Sequence, residues 1–201
     1  MKMARTLFKD NRVFYYITLI IWLSACICGN VCAFRLGNDG FLDISAYVKT
    51  TLETDMSVWS FIRLGILENV RFFVVLIVCS SAPILLPLIF ALTGFKGFAA
   101  GFTSAIIIRI YALRGAMLCF GTVVLPYMFS MPIIFMMIVS ACVFSFDRRK
   151  NATPIYRNDK SKEWFTYILI QMILLFLLCI ISVAEGFWSK FALALGLLSD
   201  G

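Results

Sequence analysis

Histidine does not occur once among the 201 residues. That absence removes the imidazole base of a serine-type nucleophile system and the commonest ligand of catalytic zinc. Charge is scarce as well. Asp, Glu, Lys and Arg make up 14% of the chain, and none of them occurs between Gly115 and Phe146. The uncharged runs hold no paired carboxylates of the aspartyl-protease kind. The seven cysteines show no CxxC spacing, and no glycine-rich phosphate loop or Walker-type lysine is present. No catalytic residue, cofactor site or metal set is therefore expected, and the chain is not expected to be an enzyme.

What is abundant is hydrocarbon. Hydrophobic residues form 62% of the sequence, and the mean hydropathy is +0.94, far above soluble domains, where apolar residues make up about half the chain. The composition implies an all-α integral membrane protein lying in a bilayer, with about five transmembrane helices at roughly 20 residues per crossing. A formal charge of +7 raises the question of nucleic acid. The Lys and Arg residues cluster between apolar runs, however, which is the pattern of cytoplasmic loops, and no nucleic-acid partner is expected. The cysteines all lie in apolar segments and are read as small hydrophobes.

The chain reads as one membrane domain with spans near 13–34, 70–92, 97–113, 127–146 and 164–186. Lys96 marks a short turn between the second and third. The basic N-terminus and the basic loop 147–163 are placed on the cytoplasmic side, with segment 35–68 and the C-terminus outside. "LSAC" at 23–26 fits a lipoprotein cleavage box, but the apolar run continues past Cys26. The run 115–146 is too long for one crossing and too short for two, and "VVLPYMFSMPIIFMM" at 123–137 carries Pro126 and Pro132. Proline removes a backbone donor and clashes with the preceding helical turn. The stretch 115–132 is accordingly read as a re-entrant or half-helix segment turning at Pro126. Irregular backbone of that kind is tolerated in a membrane only inside protein or beside a water-filled cavity.

Three sets of residues stand out. Ionisable groups within or beside spans are Arg109, Arg114 and Glu185, all assigned to the outer half. They form a structural ion pair or snorkelling arginines, or else a substrate path or partner contact. Gly97, Gly101 and Ala105 recur every fourth residue, a spacing that lets helices approach closely. The contact is either internal to the bundle or with another subunit. Outside, Phe41, Ile44, Val48, Leu52, Met56, Trp59, Ile62 and Ile66 fall at helical steps on one face. That face either rests on the membrane surface or docks an extracytoplasmic partner.

The stretch "LENVRFFVVLIVCSSAPILLPLIFALTGFKGFAAGFTSA" (67–105), with "LPYMFSMPIIF" (125–135) and "AEGFW" (184–188), resembles the bacterial stage II sporulation protein M family across nearly the whole chain. Tyr127 stands where many members outside spore-formers carry a histidine. The resemblance implies a non-enzymatic scaffold in the mother-cell membrane at the sporulation septum. It would hold two peptidoglycan-degrading partners, the stage II sporulation proteins D and P, for wall remodelling and engulfment. The alternative is a transport or channel subunit built around the Pro126–Pro132 break and Arg109. No internal repeat and little polar lining accompany it.

Overall fold

The computed structural model describes residues 12–37, 40–46, 57–150 and 160–198. Every regular element among them is helical. In lipid each backbone N–H and C=O must find its partner within the segment, which favours helix even in runs of Val, Ile and Phe. Helix α1 is Arg12–Arg35, α2 is Val58–Ser81, and α3 is Leu86–Cys119. Helix α4 is Leu125–Lys150 and α5 is Lys160–Leu198. Residues 40–46 add a short helical piece between α1 and α2.

Local chemistry sets the boundaries. Ser57 caps α2, its hydroxyl accepting from the Ser60 N–H at 3.3 Å. The helix stops at Ala82, which is extended (φ −125°, ψ 121°), because Pro83 excludes the helical region for the residue before it. A single 3-10 turn, Pro83–Leu85, then leads into α3, whose first turn accommodates Pro87. Within α3, Ala112 adopts φ 49° and ψ −123° and breaks the helix. The arms 86–111 and 113–119 fold back on each other there. They lie so close that a Cβ on Gly115 would come within 2.5 Å of the Ile107 carbonyl oxygen.

Arms and helices then assemble as a bundle. Contacts of α1 with α3 advance together, from Trp22–Gly97 through Cys26–Gly101 to Ala33–Arg109, so the two run parallel. Along α5, Ile62 meets Gly186, Asn69 meets Ser182 and Ser80 meets Tyr167, so α2 is antiparallel to it. The stretch 121–144, which includes most of α4, is likewise antiparallel to α5, from Gly121–Trp188 to Phe144–Trp164. The core lies among α2, α3, α4 and α5 around Leu76, Ile89, Met137, Ile138, Cys142 and Leu178. The outer surface is apolar, with Ile20, Ile27, Val78, Phe165 and Phe176 all more than half exposed. Water would not tolerate so continuous an apolar exterior; a bilayer would. Arg12–Arg35, Leu86–Phe146 and Trp164–Ser189 are long and apolar enough to cross a membrane.

Several expectations are corrected. The turn placed at Lys96 lies instead at 82–85, so the expected span 70–92 is divided between α2 and α3, and Lys96 falls inside α3. The re-entrant or half-helix segment at 115–132 is not formed. The chain remains helical there, and the reversal occurs at Ala112. A wider π-helical turn, Phe120–Val124, absorbs the effect of Pro126. The Leu125 N–H reaches back to the Phe120 carbonyl, and the Gly121 carbonyl thus freed accepts from the Trp188 indole at 3.1 Å. Pro132 sits inside α4 without ending it. Glu185 does not close the last helix, which continues to Leu198.

Candidate functional site

The sequence-selected residues separate into different neighbourhoods. Gly97, Gly101 and Ala105 form the seat of α1: a Cβ at Gly97 would lie 2.5 Å from the Trp22 carbonyl oxygen, and one at Gly101 would strike the Cys26 backbone. Gly29 returns the fit from α1, against Phe98 and Phe102, while Ala33 packs with Ala105. The small residues thus make an internal contact. Arg109 pins the end of α1, donating to the Ala33 and Leu36 carbonyls at 3.1 Å each, where the last turn of a helix leaves acceptors unpaired. Its guanidinium lies 4.0 Å from the centre of the Phe41 ring. Arg114 is exposed beside the Ala112 reversal.

The outer apolar stripe does not survive as one face. Phe41 and Ile44 pack inward onto Ala33, Ala105 and Ile106, and Ile62 is buried beneath Gly186. Trp59 is 75% exposed. Val48, Leu52 and Met56 lie outside the described residues.

Glu185 belongs to a site that sequence reasoning missed. A cavity of about 300 Å³ opens among α2, α3, the π-turn, α4 and α5, and Glu68, Lys96, Tyr127, Ser130, Ser182 and Glu185 line it. Lys96 is the anchor. Its ammonium donates to Glu68 Oε1 at 3.2 Å and sits 4.8 Å from the Phe72 ring centre, and only 12% of its side chain is exposed. Below the ion pair, Asn69 donates to Ser182 at 2.7 Å. Ser130 donates to the Pro126 carbonyl at 2.9 Å and also lies within hydrogen-bonding reach of the Glu185 carboxyl. The Oε1 atom of Glu185 is buried and has no hydrogen-bond partner.

A second polar cluster lies further along α5. Tyr167 donates to Ser80 at 2.9 Å and stacks on Phe144. Gln171, fully buried, donates to the Met137 carbonyl at 2.9 Å and to Ser140 at 2.8 Å. These bonds tie α2, α4 and α5 together where lipid offers no alternative partners. No group of three or more His, Cys, Asp or Glu residues able to hold a metal ion converges among the described residues.

Glu68 and Lys96 were hidden by the misplaced turn. With residues 70–92 read as one span, both charges fall just beyond its ends. The available signal was "SSAP" at 80–83, where serines followed by a pre-proline residue mark a stop. Moving the turn there carries both charges towards the middle of adjacent helices. No protein-family model matches the chain, and no curated protein or solved structure is detectably similar to it.

Proposed function

We propose that the chain is a non-enzymatic, multi-pass scaffold of the bacterial cell membrane. It crosses about five times, with the N-terminus and loop 147–163 in the cytoplasm. Its role is to hold extracytoplasmic wall-degrading partners, the stage II sporulation proteins D and P, at the sporulation septum. Partner identity and location rest on the sequence resemblance alone. The five-crossing arrangement is supported by the parallel run of α1 with the 86–111 arm, the reversal at Ala112, and the antiparallel pairing of α4 with α5.

The observation that carries the scaffold reading is how polar side chains link the helices. Lys96–Glu68, Asn69–Ser182, Tyr167–Ser80 and Gln171–Ser140 each join two different helices. Such bonds average about 0.6 kcal/mol apiece in membrane bundles and together favour one fixed arrangement over a moving one. A fixed bundle suits a protein that positions others.

The contact region for partners is the outer side around 40–59, where Leu42 and Trp59 are exposed. Pull-down of the tagged chain from sporulating cells should retain both hydrolases, and Trp59→Ala combined with Val48, Leu52 and Met56 to Ser should release them. Normal retention by that variant, at normal membrane abundance, would refute this contact region. Absence of both hydrolases from the wild-type pull-down would refute the scaffold. A transport or channel subunit remains the second reading, favoured by one observation: a charged cavity inside the apolar bundle.

A further inference from the structure

We propose that the cavity among α2, α3, α4 and α5 binds a hydrated monovalent cation, with Glu185 as its counter-charge. This goes beyond the scaffold reading and does not depend on it. Among the described residues three carboxylate or ammonium groups face the space, namely Glu68, Lys96 and Glu185. Lys96 is paired with Glu68. Among these three groups one negative charge is left over, on Glu185.

The rest of the wall favours a positive guest. Thr122 and Ser130 both line the cavity, and their hydroxyls bond to backbone carbonyls one turn back, Leu118 at 2.7 Å and Pro126 at 2.9 Å, with Ser130 also in hydrogen-bonding reach of the Glu185 carboxyl. With its proton on the Leu118 carbonyl, Thr122 presents lone pairs to the cavity. Ser182 already accepts from Asn69, which orients it within the same wall. The Oε1 of Glu185 is shielded from solvent without a donor. A buried carboxylate oxygen lacking a donor is costly, and a cation relieves that cost directly.

Valence and hydration follow from the same geometry. The excess charge is single, and the described residues contain no three-ligand acidic group of the kind a divalent ion takes. The ligands are hard oxygens, which suits an alkali ion over a soft metal. A volume of about 300 Å³ is far larger than a bare ion, and corresponds to about ten waters at roughly 30 Å³ each. The ion therefore keeps much of its water and contacts the protein chiefly at Glu185.

The test is equilibrium dialysis of the full-length protein in nanodiscs against radioactive sodium. It is paired with thermal unfolding in which sodium or potassium chloride replaces N-methylglucamine chloride at constant ionic strength. Saturable retention of sodium and a sodium- or potassium-dependent rise in melting temperature are expected. Glu185→Gln should weaken binding at least tenfold, and Asp43→Asn, on the exposed outer segment, should leave it unchanged. Thr122→Val, which removes one lone-pair oxygen at nearly constant volume, should weaken binding several-fold and decides the matter if Glu185→Gln fails to fold. No retained ion on the wild type, with equal melting in all three salts, overturns the proposal. So does an ion held equally well by the wild type and by folded variants at Glu185 and Thr122.

Discussion

Substituting Gly101 with alanine adds one methyl group at the tightest point between α1 and α3. That methyl would meet the Cys26 carbonyl carbon at 2.9 Å and its Cα at 3.0 Å, with the carbonyl oxygen nearer still. All three are backbone atoms, so no side chain can rotate away and the helices must separate. Overpacking of this kind costs about 1–3 kcal/mol. Gly94, two turns earlier on the same helix, is the internal control. A Cβ there would meet only side-chain carbons of Ile21 and Ala25, at 3.7 and 3.9 Å, which is ordinary contact. Gly94→Ala should therefore gain up to about 1 kcal/mol from helix propensity alone. The two substitutions are chemically identical and share the propensity gain, yet should differ by the overpacking cost, about 1–3 kcal/mol. Adding Gly97→Ala to Gly101→Ala should cost less than the two separately, since the first substitution already opens the seam. Unfolding in mixed micelles with rising SDS fraction, followed by circular dichroism, reads all four variants. Equal stability of Gly94→Ala and Gly101→Ala would refute the close-packed α1–α3 seam.

Two further substitutions probe backbone features. Ala112→Gly should stabilise the protein by about 1 kcal/mol in the same assay, because φ 49° is unfavourable for a residue with a Cβ, whereas Ala112→Val should destabilise it. Trp188→Phe keeps the ring but removes the donor to the Gly121 carbonyl, and should cost about 1–2 kcal/mol. No loss there would mean that the π-turn carbonyl is satisfied in another way.

Much of the architecture was legible because hydrocarbon content and charge placement constrain it strongly. The limits of α1 nearly coincide with the uncharged run 13–34, since nothing within that run interrupts a helix. The Gly97–Gly101–Ala105 spacing correctly marked a close contact, though the partner helix could not be read from it. Proline position misled in two different ways. Pro83 falls inside the expected span 70–92, although its restriction on Ala82 is what ends α2. Pro126 and Pro132 suggest a break, yet the five-residue π-turn and the Trp188 indole re-satisfy the backbone around Pro126, and Pro132 is accommodated inside α4. The actual reversal falls on an alanine, which carries no turn signal in the sequence. The candidate site stayed hidden for a related reason. Glu68, Lys96 and Glu185 are far apart in sequence, and only the positions of two turns bring them to one cavity.

The placement of those turns is tested most directly by single cysteines in a background whose seven native cysteines have been replaced. Ile84 lies in the 82–85 turn and is 84% exposed, Leu113 lies just past the Ala112 reversal and is 82% exposed, and the Lys96 side chain is largely enclosed between them. With an impermeant thiol reagent on protoplasts, cysteine at 113 should react in intact cells and cysteine at 84 only after permeabilisation. Cysteine at 96 should react slowly in both. Rapid labelling at 96 together with protection at 84 would return the turn to Lys96 and dismantle the charged cavity.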